Sequence, residues 1–138
     1  MATWFSEPMT NLRLQHFLYF SQAWHLALHG KVLFPDAIEA WPHGPCVKDV
    51  FAELRPYGYS DLPSFPEDAP APPEYLNDFL TEVFEAYAKL TPYSLMALAH
   101  QDDAWRSARG KLKPTDRGGS IIDTAKMKEI YEAKAEQD

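Results

Sequence analysis

Two side chains near the first proline-rich turn could act as a nucleophile and its base. His43 and Cys46 are close in sequence, and Cys46 is predicted to lie in the first turn of a helix, where a thiolate is stabilised. A cysteine hydrolase also needs a third group that orients the base. Nothing at motif spacing supplies that group, so the alternative is a small cysteine buried in the core.

A second cluster combines an imidazole with paired acids. His100, Asp102 and Asp103 precede Trp105, and a carboxylate beside a histidine can perform acid–base chemistry. The alternative is structural: acids in this position cap a helix N-terminus, and the tryptophan fills the core. We therefore expect no catalytic residue here, and keep a small hydrolase as the rival interpretation.

A metal site is the third chemistry to consider. His25 and His29 are spaced by four residues on a predicted helix, so both imidazoles lie on one face and could bind a metal. The sequence lacks the glutamate of a metalloprotease motif and a third ligand at a recognised spacing. We expect neither a metal nor a cofactor, with one histidine facing solvent and the other hydrogen-bonded near the helix end.

Composition favours a protein partner over nucleic acid. The 138 residues carry a formal net charge of −7, with 46% hydrophobic and 14% aromatic residues, enough for one core and a single domain spanning residues 1–138. Nucleic-acid binders usually need a basic surface, so direct DNA binding is not expected, whereas a basic protein partner is complementary. A single cysteine, no apolar run of about 20 residues and no leader-like start predict a cytoplasmic protein without a membrane span.

Helical periodicity places these residues on a mainly α fold. Thr10 is the predicted N-cap of a helix that Gly30 ends. Its apolar residues form two stripes, so we expect it to be central and packed on several sides. One stripe contains Leu14, Phe17, Leu18, Ser21, Trp24 and Leu28, and the other contains Leu12, Tyr19, Ala23 and Leu26.

The remaining pattern predicts five to six helices in all, with at most a short two-stranded ribbon. Ile38–Trp41 and Ser120–Ile122 are the expected strands, and Gly44 is free to take a positive φ in the turn. Pro45 is predicted at the first position of the second helix. The helices are expected at about 46–56, 74–89, 92–100, 102–109 and 123–135, with a proline-rich mobile loop at 59–73.

Several sequence blocks carry a family resemblance. From Thr10 the chain has Thr-Asn-Leu-Arg-Leu-Gln, then an aromatic pair, Gln-Ala-Trp-His-Leu-Ala, Leu-Phe, Ile-Glu-Ala-Trp and a His-Gly-Pro turn. Leu95–Arg109 and the segment from Gly119 continue the similarity more weakly. The chain resembles the Panacea domain of SocA-like bacterial and phage antitoxins. It departs from the family pattern at His16, Cys46, Lys48, Ala99 and Ala104.

The resemblance implies the antitoxin of a type II toxin–antitoxin system, which binds and neutralises a protein toxin encoded beside it. Some relatives also deliver the toxin to a host protease as adaptors. Besides the small hydrolase, a phage-encoded regulatory protein that binds a host factor is the alternative. A toxin-like reading frame next to the gene favours the antitoxin.

The expected toxin-binding surface surrounds the His-Gly-Pro turn and the start of the first helix. Exposed aromatic residues are typical anchors of protein interfaces, and a glycine–proline turn is stiff. For the two glutamines the alternative is that they satisfy buried backbone groups within the fold. The candidate residues are Gln15, Tyr19, Gln22, Trp41, His43, Gly44, Pro45, His100 and Trp105.

Overall fold

One long helix lies at the centre of the structure and organises the rest. The computed structural model describes residues 9–63 and 73–137, and within them it has six α-helices and one two-stranded antiparallel sheet. The mainly α fold predicted from the sequence is therefore confirmed. In chain order the elements are α1 (Asn11–His29), β1 (Glu39–Trp41), β2 (Gly44–Cys46), α2 (Lys48–Leu54), a 3₁₀ turn (Arg55–Tyr57), α3 (Glu74–Ala88), α4 (Pro92–His100), α5 (Asp103–Arg109) and α6 (Thr124–Glu136).

The central position of α1 follows from its buried residues on several faces. It packs against α2, α3, α4, α6 and β2, and Tyr19, Phe20 and Ala23 have at most 1% of their surface exposed. The predicted caps are confirmed: the Thr10 hydroxyl accepts a hydrogen bond from the N–H of Arg13, and Gly30 adopts the left-handed conformation. The first predicted stripe is wrong at its end, where the side chain of Leu28 is 59% exposed.

The β-hairpin corrects the predicted start of the second helix. We expected Pro45 at the first helical position and a helix over about 46–56, but Gly44–Cys46 is a strand and α2 begins at Lys48. Proline is tolerated in β2 because its partner Ala40 turns its own N–H away, towards the carbonyl of Ser120. The pair Ala40–Pro45 therefore needs no N–H from proline.

The two segments expected to form a ribbon do lie side by side. Glu39 forms an isolated antiparallel bridge with Ile121, and the N–H of Ile122 donates to the carbonyl of Ile38. Residues 120–122 thus extend the hairpin on the side of β1 away from β2. The expected 59–73 loop is tied to the start of α1 at one end, where the N–H of Leu62 donates to the carbonyl of Met9; its residues 64–72, and the lead-in 1–8, lie outside the described residues.

Candidate functional site

The turn between β1 and β2 packs closely against α1 and α4. Trp41 pairs with Gly44 across the turn, and Gly44 has φ of 141°. A Cβ atom at Gly44 would lie 3.1 Å from the Nε2 atom of His16 and 3.5 Å from the Cβ atom of Ala99. Glycine at this position therefore permits both the positive φ and the close approach of the turn to the two helices.

Three aromatic rings from the turn and α2 form a cluster at the surface. The ring centroid of Trp41 lies 5.9 Å from that of His43 and 5.4 Å from that of Phe51, and the last two are 6.1 Å apart. All three side chains are half-buried. A partly exposed aromatic cluster offers large apolar area in few rotamers, which suits a protein contact.

Residues of α4 and α5 also contact this turn and hold it in place. The His100 ring stacks on Trp105 at 4.8 Å, its Nε2 atom lies 2.9 Å from the carbonyl oxygen of Pro42, and the Trp105 indole N–H donates to the carbonyl of Trp41 at 2.9 Å. His100 is exposed. We call the surface made by Trp41, His43, Phe51, His100 and Trp105 the turn face.

His16, which lies below the turn, and His43, within the turn face, are held in their neutral form. Burial lowers the pKa of His16 to about 4, against a smaller opposing effect of the Leu12 carbonyl, and repulsion from protonated His43 and His100 lowers it further. Burial, with repulsion from His100, also lowers the pKa of His43. At neutral pH the centre of the turn face is therefore apolar and aromatic rather than cationic.

The predicted site residues Gln15 and Gln22 lie inside the protein. The Gln15 side chain accepts from the N–H of Val47 at 2.7 Å. The Gln22 side chain accepts from the N–H of Leu33 and donates to the carbonyl of Phe34, at 2.7 and 2.9 Å. Both glutamines satisfy buried backbone groups, which is the alternative raised for them from the sequence, and both anchor neighbouring segments to α1.

Tyr19 and Asp102 belong to a buried hydrogen-bond cluster. The carboxylate of Asp102 accepts from Tyr19 at 2.6 Å, from Tyr131 at 2.5 Å and from the N–H of Trp105 at 3.0 Å. Burial, followed by the effect of the nearby carboxylate, raises the pKa of Tyr19. The cluster joins α1, α5 and α6, and it fixes Trp105 in the turn face. Asp102 is the N-cap of α5, as the structural interpretation of the sequence predicted.

The residues considered for hydrolysis do not share an open cleft. Cys46 is fully buried, and burial, with a smaller effect of Glu39, raises the pKa of its thiol to about 12. The carboxylate of Asp102 is enclosed by its two tyrosines, while His100 faces solvent. A protonated thiol in the interior is a poor nucleophile at neutral pH.

His25 and His29 contact each other without forming a metal site. Their ring centroids are 4.7 Å apart, the Nδ1 atom of His25 lies 2.7 Å from the carbonyl oxygen of Lys31, and His29 is exposed. In the part of the chain that the structure describes, no group of three or more histidine, cysteine or acidic side chains could bind a metal ion. Over the same residues, no helix is both long and apolar enough to cross a membrane.

Sequence reasoning missed two residues that shape the site. They are Phe51, a member of the ring cluster, and Arg109 at the end of α5. Arg109 is buried and donates to the carbonyls of Ala40, Lys113, Asp116 and Gly118. The signal available for Arg109 was the lysine–glycine–proline loop that follows it, whose carbonyls need donors. By binding β1 and this loop together, Arg109 supports the turn face from within.

Taken together, the described residues form a small, mainly α fold with a partly exposed aromatic surface beside the β1–β2 turn. The family model of the antitoxin SocA-like Panacea domain matches residues 14–106. That match covers more than half of the chain, and the chain belongs to this family. Among curated proteins and among solved structures, no similar chain was found.

Proposed function

We propose that this chain is the antitoxin of a toxin–antitoxin pair and that it neutralises a protein toxin encoded beside it by binding it through the turn face. The observation that carries the proposal is the half-exposed ring cluster of Trp41, His43 and Phe51, joined by His100 and Trp105. Membership in an antitoxin family supports the role in general. The choice of surface comes from the geometry.

The turn face suits a tight contact because it is already ordered. Two bonds from α4 and α5 hold the turn, to the carbonyls of Pro42 and Trp41, and Gln15 holds β2 to α1 through Val47. A surface that is fixed before binding loses little conformational entropy in the complex. Aromatic rings at the centre of an interface commonly carry most of its binding free energy.

Charge supports a basic toxin as the partner, and the buried thiol supports binding without catalysis. The net charge of −7 accelerates encounter with a basic protein. The cysteine form of the hydrolase alternative needs an ionised Cys46, which is in the interior. We place this binding in the cytoplasm, where a single cysteine stays reduced. Delivery of the bound toxin to a protease is a further role that the test below separates from simple occlusion.

The test is co-expression of the chain with the adjacent reading frame, scored by growth and by calorimetry on the purified pair. We expect one antitoxin to neutralise one toxin, since a binder acts stoichiometrically. The double variant His43→Ala/His100→Ala should bind at least about tenfold more weakly, because it removes ring contacts from the centre of the face.

The matched control is Tyr75→Ala, which removes an exposed aromatic side chain from α3, away from the turn. Circular dichroism confirms that each variant is folded. Wild-type affinity in the folded double variant would place the interface elsewhere. Rescue at far below one antitoxin per toxin would favour catalysis, and a shortened toxin half-life that depends on a protease would assign the adaptor role.

A further inference from the structure

A groove lies on the side of the molecule where residues 120–122 extend the hairpin. It has a volume of about 290 Å³ and runs between the 32–38 loop and the start of α6. Its apolar lining includes Val32, Phe34, Ile38, Ile122 and Met127. The turn face does not include any of these residues, so the groove is a separate surface.

The edge of the sheet beside this groove is open. The carbonyl of Ser120 and the N–H of Ile122 are used by Ala40 and Ile38. In an antiparallel pair the intervening residue turns its N–H and C=O the other way, so those of Ile121 point away from β1. Within the described chain they have no hydrogen-bond partner, and the Ile121 side chain is 63% exposed. An unpaired edge of this kind accepts an extended segment as an added strand.

The charge around the groove selects the kind of segment. Asp36 and Asp123 are the charged residues among those that line it, and both are exposed. Asp123 also caps α6 by accepting from the N–H of Ala125. No lysine or arginine is found in this lining. The groove therefore favours a segment with basic side chains, and it disfavours a second copy of this chain, whose net charge is also −7.

We infer that the Ile121 edge and its groove bind an extended, basic segment of the toxin, which adds one strand to the sheet. An apolar side chain of the segment enters the groove, and flanking lysine or arginine residues lie beside Asp36 and Asp123. This inference rests on the proposed toxin binding and adds a second contact surface, so that the antitoxin holds its partner on two sides of β1.

A peptide probe tests the groove without the toxin. The probe is a fluorescein-labelled octapeptide of alternating valine and lysine, measured by fluorescence anisotropy against the full chain. Two control peptides replace lysine with glutamate or carry an N-methyl group on every backbone nitrogen. The N-methyl peptide keeps the charge and the side chains but cannot pair with a strand edge, so we expect it and the glutamate peptide to bind at least about tenfold more weakly.

Protein variants locate the binding. Ile121→Pro removes the outward N–H, whereas Ile121→Ala keeps this N–H. Binding of the lysine peptide should therefore be about 3- to 10-fold weaker in Ile121→Pro than in Ile121→Ala. Asp36→Asn/Asp123→Asn keeps the helix cap, because asparagine is also a good N-cap, and should weaken binding by about 3- to 10-fold. The control Asp49→Asn/Asp78→Asn removes the same charge from α2 and α3 and should have little effect.

The outcomes separate this inference from the proposed function. Equal binding of the N-methyl and unmodified peptides would overturn the inference, as would equal losses of affinity in the groove variants and the control variant. A dimer of this chain that pairs through the Ile121 edge would also overturn it. If the wild-type chain neutralises the toxin and the groove variants do so at wild-type affinity, the inference fails and the proposed function stands. If the peptide binds as expected and the toxin does not bind, the toxin assignment fails.

Discussion

Lowering the pH should destabilise this chain through one buried imidazole, that of His16. Its Nδ1 atom lies 3.0 Å from the carbonyl oxygen of Leu12, so this nitrogen carries the proton, and its Nε2 atom is buried without a hydrogen-bond partner among the described residues. A proton added to Nε2 would be a buried charge with no acceptor. Burial accordingly lowers the pKa of His16 from 6.5 to about 4.

The direction of the pH effect follows from the two states. Between about pH 4 and 6.5 the unfolded chain binds a proton at His16 and the folded chain does not, so the free energy of unfolding rises with pH across this window. Since a difference of one in pKa corresponds to about 1.4 kcal/mol, moving from pH 7.5 to pH 5 should cost about 2 kcal/mol from this group alone. His43, whose pKa is also lowered, contributes in the same direction.

The assay is urea unfolding followed by tryptophan fluorescence at both pH values, with His16→Gln to isolate the contribution. A glutamine side chain at this position is neutral throughout, so the variant should lose about 2 kcal/mol less than wild type over this interval, whatever its stability at pH 7.5. The control Ile122→Val destabilises the core by about 1 kcal/mol without a titrating group, and should keep the wild-type pH dependence. Equal pH dependence in wild type and His16→Gln would refute the reasoning, as would an NMR titration that finds His16 protonated above pH 6.

Three further changes test the scaffold and the site. Gly119→Ala should lower the free energy of unfolding by more than about 3 kcal/mol, because the added Cβ atom would overlap the carbonyl oxygen of Ala40. Thermal unfolding measures this loss, with Ser120→Ala as the control variant. Asp102→Ala should cost on the order of 3 kcal/mol by leaving two buried tyrosine hydroxyls without their acceptor, and Asp102→Asn should recover part of it in chemical unfolding. Cys46→Ala should leave toxin neutralisation unchanged in the growth assay, whereas loss of rescue by the folded variant would revive the hydrolase hypothesis.

Local signals in the sequence were sufficient for most of the helices, but not for the start of α2. Thr10 and Gly30 are the two caps of α1, and α4 begins at Pro92 after its N-cap Thr91. These signals are local because a cap or a proline acts within one helical turn. The hairpin could not be predicted in the same way. The position of Pro45 depends on Ala40 turning its N–H towards Ser120. The two segments were expected to lie side by side, but the sequence pattern does not show in which direction the N–H of Ala40 points.

For the candidate site, the sequence selected residues around the turn but did not show the structural role of each one. The residues that carry the resemblance gather around the turn, and the structure divides them into two groups. Gln15, Tyr19 and Gln22 are buried and hydrogen-bonded, while His43 and Trp41 are half-exposed. Sequence cannot separate these groups, since a short hairpin packed on helices needs polar partners for its backbone just as an interface needs polar anchors.

This division has a consequence for specificity. The buried polar residues define the fold of the turn, because Gln15 binds Val47 and Asp102 fixes Trp105. Under the proposed function, we expect these residues to be the same whichever toxin binds. We then expect discrimination between toxins to come from side chains that reach the surface, namely the rings of the turn face and the acidic residues of the groove. Exchanging those exposed side chains should change the partner while the fold is kept, since substitutions away from buried features usually alter stability by less than about 0.5 kcal/mol.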